Sequence, residues 1–131
     1  MIGIDSNVLL REVMGDHPEQ AAIAARFMDS RSTNDPGFVS IVVLLETTWT
    51  LSRTYRRTQP QVATFVRRLL AASEIVVQAN GAVRRALNDA EATGADLSDA
   101  IIAHLGIDAN CNYTVTFDRS AANLPGMLLL T

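Results

Sequence analysis

Lysine does not occur in this chain: all 11 of its basic residues are arginines. That excludes chemistry built on a lysine amine, whether a phosphate-loop lysine, a Schiff base or the lysine of a phospho-aspartate site. Cysteine occurs once, at Cys111, so no internal disulfide can form and a reducing compartment is expected. With only His17 and His104 beside it, the sulfur and nitrogen ligands of a usual zinc site are missing. Long apolar runs are missing too. The longest, Ile41–Leu45, is far too short to cross a bilayer, and the first ten residues carry an acid where a secretory signal needs basic charge. The chain is therefore expected to be complete, cytoplasmic and independent of membranes. Its net charge of −3 argues against broad, charge-driven binding of nucleic acid. A polyanionic substrate would have to be met by local arginines or by metal ions.

What is present suffices for one domain, 1–131, since 131 residues with 48% apolar side chains can bury a sizeable core. The opening stretch organises the rest. Met1-Ile2-Gly3-Ile4-Asp5 reads as a short strand, followed by a polar Ser6-Asn7 turn and the apolar Val8-Leu9-Leu10 of a helix turning back over a sheet. Asp5 then stands at the carboxyl end of a strand, the edge at which open parallel sheets bind ligands. It reads equally as a cap for the helix behind it.

Asp16-His17-Pro18-Glu19 opens an alanine-rich helix to about Ser30, and Arg31 to Pro36 is a loop. Gly37-Phe38-Val39 suits a second strand and Ser40 an N-cap for a helix from Ile41 to Arg57. Inside that helix Glu46 shares a stripe with Val42, Val43, Trp49 and Thr50, where an ionised carboxylate is costly unless paired, bound to metal or at the solvent edge. Thr58-Gln59-Pro60 breaks it and caps a helix from Gln61 to about Ala72. This helical hairpin carries Arg53, Arg56, Arg57, Arg67 and Arg68, either a nucleic-acid or partner surface or a solvated face.

Glu74–Gln78 reads as a third strand, and Asn80 as the cap of a helix that ends at Gly94. In Ala95-Asp96-Leu97-Ser98-Asp99-Ala100-Ile101-Ile102-Ala103-His104, Asp96 suits the N-cap and Asp99 lies one turn further on, in an otherwise apolar helix. Capping accounts for Asp96 and poorly for Asp99. His104 lies half a turn away from Asp99 and reads as a structural or surface histidine rather than a catalytic one. Cys111–Asp118 repeats the Asp5 arrangement, a strand-like alternation running into an acid with Thr116 two residues before it, and Met127–Leu130 is the last strand.

This order predicts an α/β fold: a central parallel sheet of about five short strands flanked by helices. Asp5, Glu46, Asp99 and Asp118, with Asp96 nearby, then fall at strand ends or on helices entering from that edge. If they converge, each pair of carboxylates about 4 Å apart repels by roughly 4 kcal/mol at an effective dielectric of 20. Such a cluster must protonate or hold a cation, and all-oxygen ligands suit Mg²⁺ or Mn²⁺.

The segments Ile-Asp-Ser-Asn at 4–7, Val-Leu-Leu-Glu-Thr-Thr-Trp-Thr-Leu around Glu46, Ala-Asp-Leu-Ser-Asp-Ala-Ile-Ile-Ala and Val-Thr-Phe-Asp-Arg at 115–119 resemble, in order and over nearly the full length, the PIN-domain nucleases, particularly VapC-type toxins of toxin–antitoxin pairs. The resemblance implies a metal-dependent endoribonuclease that forms a homodimer and is inhibited by a cognate antitoxin. It marks Asp5, Glu46 and Asp99 as the metal-binding core and Asp118 as the fourth acid. Asn7 and Thr116 match supporting polar positions and Asp96 an acid beside the core. Two other readings stay open. One is a fold-retaining module that binds RNA or a partner without turnover. The other is a phospho-aspartate protein, against which the missing lysine weighs.

Overall fold

Every α-helix of the chain but one begins on a side chain that answers its free amides. The computed structural model describes Met1–Thr131 throughout. Asp5 caps α1 (Ser6–Met14), His17 α2 (Pro18–Asp29), Ser40 α3 (Ile41–Arg53) and Asp96 α6 (Leu97–Asp108). Thr58 caps α4 (Gln59–Ala71) through a capping box in which Gln61 reaches back to the Thr58 amide. The exception is α5 (Asn80–Thr93): Asn80 is its first residue rather than its cap, and Ala79 before it adopts a left-handed φ of 55° with no capping side chain. Gly94 closes α5 at φ 75°, a conformation glycine adopts without steric cost.

Five short strands complete the chain: β1 (Ile2–Gly3), β2 (Gly37–Val39), β3 (Ile75–Val77), β4 (Thr114–Thr116) and β5 (Met127–Leu129). All pairings are parallel, as expected for an α/β chain whose strands are joined by helices. They form two ladders instead of one sheet: β1-β2-β3 and β4-β5. β1 is short, with two paired residues, and the amides of Ile2 and Ile4 donate to the carbonyls of Pro36 and Phe38 on the β2 side.

Cα proximity divides the chain into two units, Met1–Gln78 and Ala79–Thr131. In the first, Leu9, Val39, Leu44 and Val66 are fully buried. The Arg31 guanidinium lies 4.6 Å from the Phe27 ring centre and pairs with Asp35, which also holds the Met1 amine at 2.9 Å. Those contacts fix the loop ahead of β2 and the start of β1. In the second unit α5 packs on α6, with Val83, Ala86, Ala100 and Ile101 buried. His104 belongs to that core: its Nε2 lies 2.5 Å from Asp89 Oδ2, and Arg85 Nε donates to its Nδ1 at 3.3 Å. Arg85 also pairs with Asp108. The structural role expected of His104 is the one it has.

The first, third and fourth strands are shorter than expected and α4 starts two residues early, at Gln59. Helix α3 stops at Arg53 instead of Arg57, because Arg56 turns to φ 54° and the Tyr55 and Arg57 amides fold back onto the Thr50 and Leu51 carbonyls. The last strand ends at Leu129. No helix is long and apolar enough to cross a membrane.

Candidate active site

In the first unit two carboxylates are linked through one buried serine, by its amide and its hydroxyl. Asp5 leaves β1 in extended conformation and caps α1, its Oδ1 accepting the Ser6 amide at 2.8 Å. Ser6, only 4% exposed, turns its hydroxyl the other way and donates to Glu46 Oε1 at 2.7 Å. Asp5 is thus both a cap and a strand-end acid. The stripe around Glu46 faces outward: Val42 and Trp49 are 68% and 57% exposed, and Glu46 is exposed between them. An apolar setting that penalises the charge is therefore corrected to the solvent edge of α3, since Leu44, Thr47, Thr48 and Leu51 fill the buried face.

The second unit holds three acids. Asp96 Oδ1 accepts the Ser98 amide at 2.8 Å as the N-cap of α6. Asp99 is half-buried in the first turn, and its pKa is raised, mainly by burial and further by the charges of Asp96 and Asp118. Asp118, in the turn after β4, accepts the Ser120 and Ala121 amides on Oδ1 at 2.8 and 3.2 Å, and its own amide donates to Thr116 Oγ1 at 3.0 Å. The spacing that placed Asp96 and Asp99 on one side of a helix, and Thr116 beside Asp118, therefore has direct counterparts. Asn7 is exposed on α1 and lines an open groove with Ile2, Ile4, Ile23 and Phe27. Arg53, Arg56, Arg57, Arg67 and Arg68 are all exposed, Arg57 reaching Met14 Sδ at 3.6 Å.

A model of the PIN domain matches residues 2–126. The chain belongs to the PIN-domain family. Proteins of this family are generally nucleases and generally use divalent metal ions. No curated protein matches the chain.

In this PIN domain none of the acids marked by the resemblance is ion-paired within the chain. Asp16, Asp35 and Asp108 are each ion-paired, whereas Asp5, Glu46, Asp96, Asp99 and Asp118 have no cationic partner. Each of them also keeps at least one carboxylate oxygen with no protein donor, and Asp99 keeps both. Oxygen donors of this kind fit Mg²⁺ or Mn²⁺ and do not fit zinc. Neither unit alone gathers three or more His, Cys, Asp or Glu side chains at metal-ligand spacing. The Ser6 contact is the part of this arrangement that sequence reasoning passed over. A serine after a strand-end acid reads as a turn residue, and nothing in the sequence ties it to a glutamate 40 positions away.

Proposed function

We propose that residues 1–131 work as one domain, a cytoplasmic, divalent-metal-dependent endoribonuclease of the VapC type, the toxin of a toxin–antitoxin pair, acting as a homodimer. The observation that carries this reading is the unneutralised state of Asp99. Burial and two neighbouring carboxylates disfavour its charge, and no cation of the chain relieves it although 11 arginines are present. A cation from outside would do so. In this reading Asp5 and Asp99 hold Mg²⁺ or Mn²⁺ through their undonated oxygens, Glu46 holds the ion or orients the attacking water, and Asp118 completes the set.

A divalent ion held there supplies Lewis acidity and charge neutralisation for hydrolysis of a phosphodiester. The chain's own residues fix the oxygens. Ser6 keeps the Glu46 carboxylate turned toward α1, Thr116 fixes the backbone of Asp118, and the Asp96 cap sets the first turn of α6 on which Asp99 stands. A cognate antitoxin would present a basic side chain to these carboxylates and compete with metal and substrate.

Purified protein incubated with total RNA and Mg²⁺, Mn²⁺ or EDTA tests the reading. Cleavage with either metal, none with EDTA and none in Asp5→Asn is the expected result. Unchanged metal-dependent cleavage in Asp5→Asn would end it. RNA binding without cleavage under any metal would favour a non-catalytic module.

A further inference from the structure

The outward face of α3 carries, at helical spacing, Val42, Glu46, Trp49 and Arg53, all exposed. We infer that this face is a subsite for single-stranded RNA, with one base stacked on the Trp49 indole and the adjoining phosphate held by Arg53. The inference rests on the nuclease reading for its substrate class and on the geometry of α3 for its place.

Trp49 contributes little to the core, since the buried face of α3 is made by Leu44, Thr47, Thr48 and Leu51. It is the only tryptophan of the chain, and more than half of it meets water. At a rise of about 1.5 Å per residue, Trp49 stands about 4.5 Å along the axis from Glu46, and Arg53 about 6 Å beyond Trp49 on the same side. The order along the helix is therefore acid, aromatic plane, cation. The Arg53 guanidinium has no ion pair within the chain and is followed by exposed Arg56 and Arg57, so positive charge gathers at that end of an otherwise acidic protein.

This mixture decides between occupants. A second copy of the chain or a protein partner covering Val42 and Trp49 would also cover Glu46 and would have to bring a cation to it, because burying a carboxylate unpaired is costly. A strand of RNA lays a base on the indole, a phosphate on the arginine, and leaves Glu46 wet. Stacking of this kind accepts any base and needs it unpaired. The subsite should therefore prefer single strands over duplexes and discriminate little among sequences.

Because Trp49 is alone, its emission reports this surface and no other. The probe is a fluorescein-labelled 12-nucleotide oligoadenylate RNA, titrated in EDTA so that nothing is cut, with anisotropy giving affinity and tryptophan emission giving contact. Saturable quenching is expected in the native chain. Trp49→Ala should weaken binding by roughly 5- to 150-fold, the effect of losing one stacked base, while Trp49→Phe, which keeps a ring, stays closer to the native value. Arg53→Ala should weaken binding and make the salt dependence shallower by about 0.7 in logarithmic slope.

Binding without any change in emission, or equal affinity in Trp49→Ala, would overturn the subsite. So would an absence of RNA binding by the native chain, or a Trp49→Ala protein whose sedimentation changes from dimer to monomer at unaltered RNA affinity, which would assign the face to a second copy. A parallel cleavage arm with Mn²⁺ separates the two readings. Quenching without cleavage by the native chain removes the nuclease and keeps the subsite, whereas cleavage with an unchanged KM in Trp49→Ala removes the subsite and keeps the nuclease.

Discussion

The two units treat the same charge in opposite ways. In Met1–Gln78, Asp5 and Glu46 are exposed and receive neutral donors from a single residue, the amide and hydroxyl of Ser6. In Ala79–Thr131, Asp99 is half-buried, receives no donor, and faces the charges of Asp96 and Asp118. Burial and those two charges disfavour ionisation of Asp99, so it stands to gain from a cation.

The comparison breaks most visibly in catalysis. Asp5→Asn and Asp99→Asn should each lower RNA cleavage by at least about 100-fold, the upper range for residues that merely support a metal ligand, with circular dichroism unchanged. Cleavage that survives unchanged in either of them would end the reading in which both hold the metal. Ser6→Ala tests the first unit's device more finely. Activity or metal affinity should fall by about 10- to 100-fold for a stability cost of about 1 kcal/mol, read by metal titration and by urea denaturation. Full activity in Ser6→Ala would mean that the orientation of Glu46 is immaterial.

His104 probes the second unit without touching its acids. His104→Ala empties a buried position and strips Asp89 of its partner, so unfolding in urea should show a loss of about 2–4 kcal/mol. A loss under 1 kcal/mol would show that the α5–α6 pair is held by its apolar contacts alone.

The smallest effect is the pH dependence of Asp99. Its folded pKa lies above the unfolded value near 3.8, so its favourable contribution to folding is complete below that value and is lost as pH rises through the folded pKa. Asp99→Asn should therefore raise the melting temperature at pH 7, change it little at pH 3, and lose its advantage when Mg²⁺ is added. A melting temperature that falls at pH 7 on this substitution would contradict the unfavourable setting of Asp99.

What could be read from the sequence was local. Ser40, Thr58, Asp96 and Gly94 announce helix ends because capping is settled within a few residues, and Asp5 and Asp118 stand out because each follows a strand. Distance in the chain hid the rest. Helical spacing put Glu46 in line with Val42 and Trp49 but could not tell which face of α3 is wet. The early end of α3 depends on Arg56 adopting a left-handed conformation that a glycine would have signalled. The division of five strands into two ladders likewise follows from pairing partners, which a run of two or three residues does not specify.

Ser6 carries one further consequence. Its amide and its hydroxyl point to different carboxylates, so a ligand that draws Glu46 away releases the hydroxyl to another acceptor while the backbone bond to Asp5 stays fixed. One residue of a few atoms thereby holds two acids independently, so that Glu46 can be taken up by a ligand without disturbing the cap of α1.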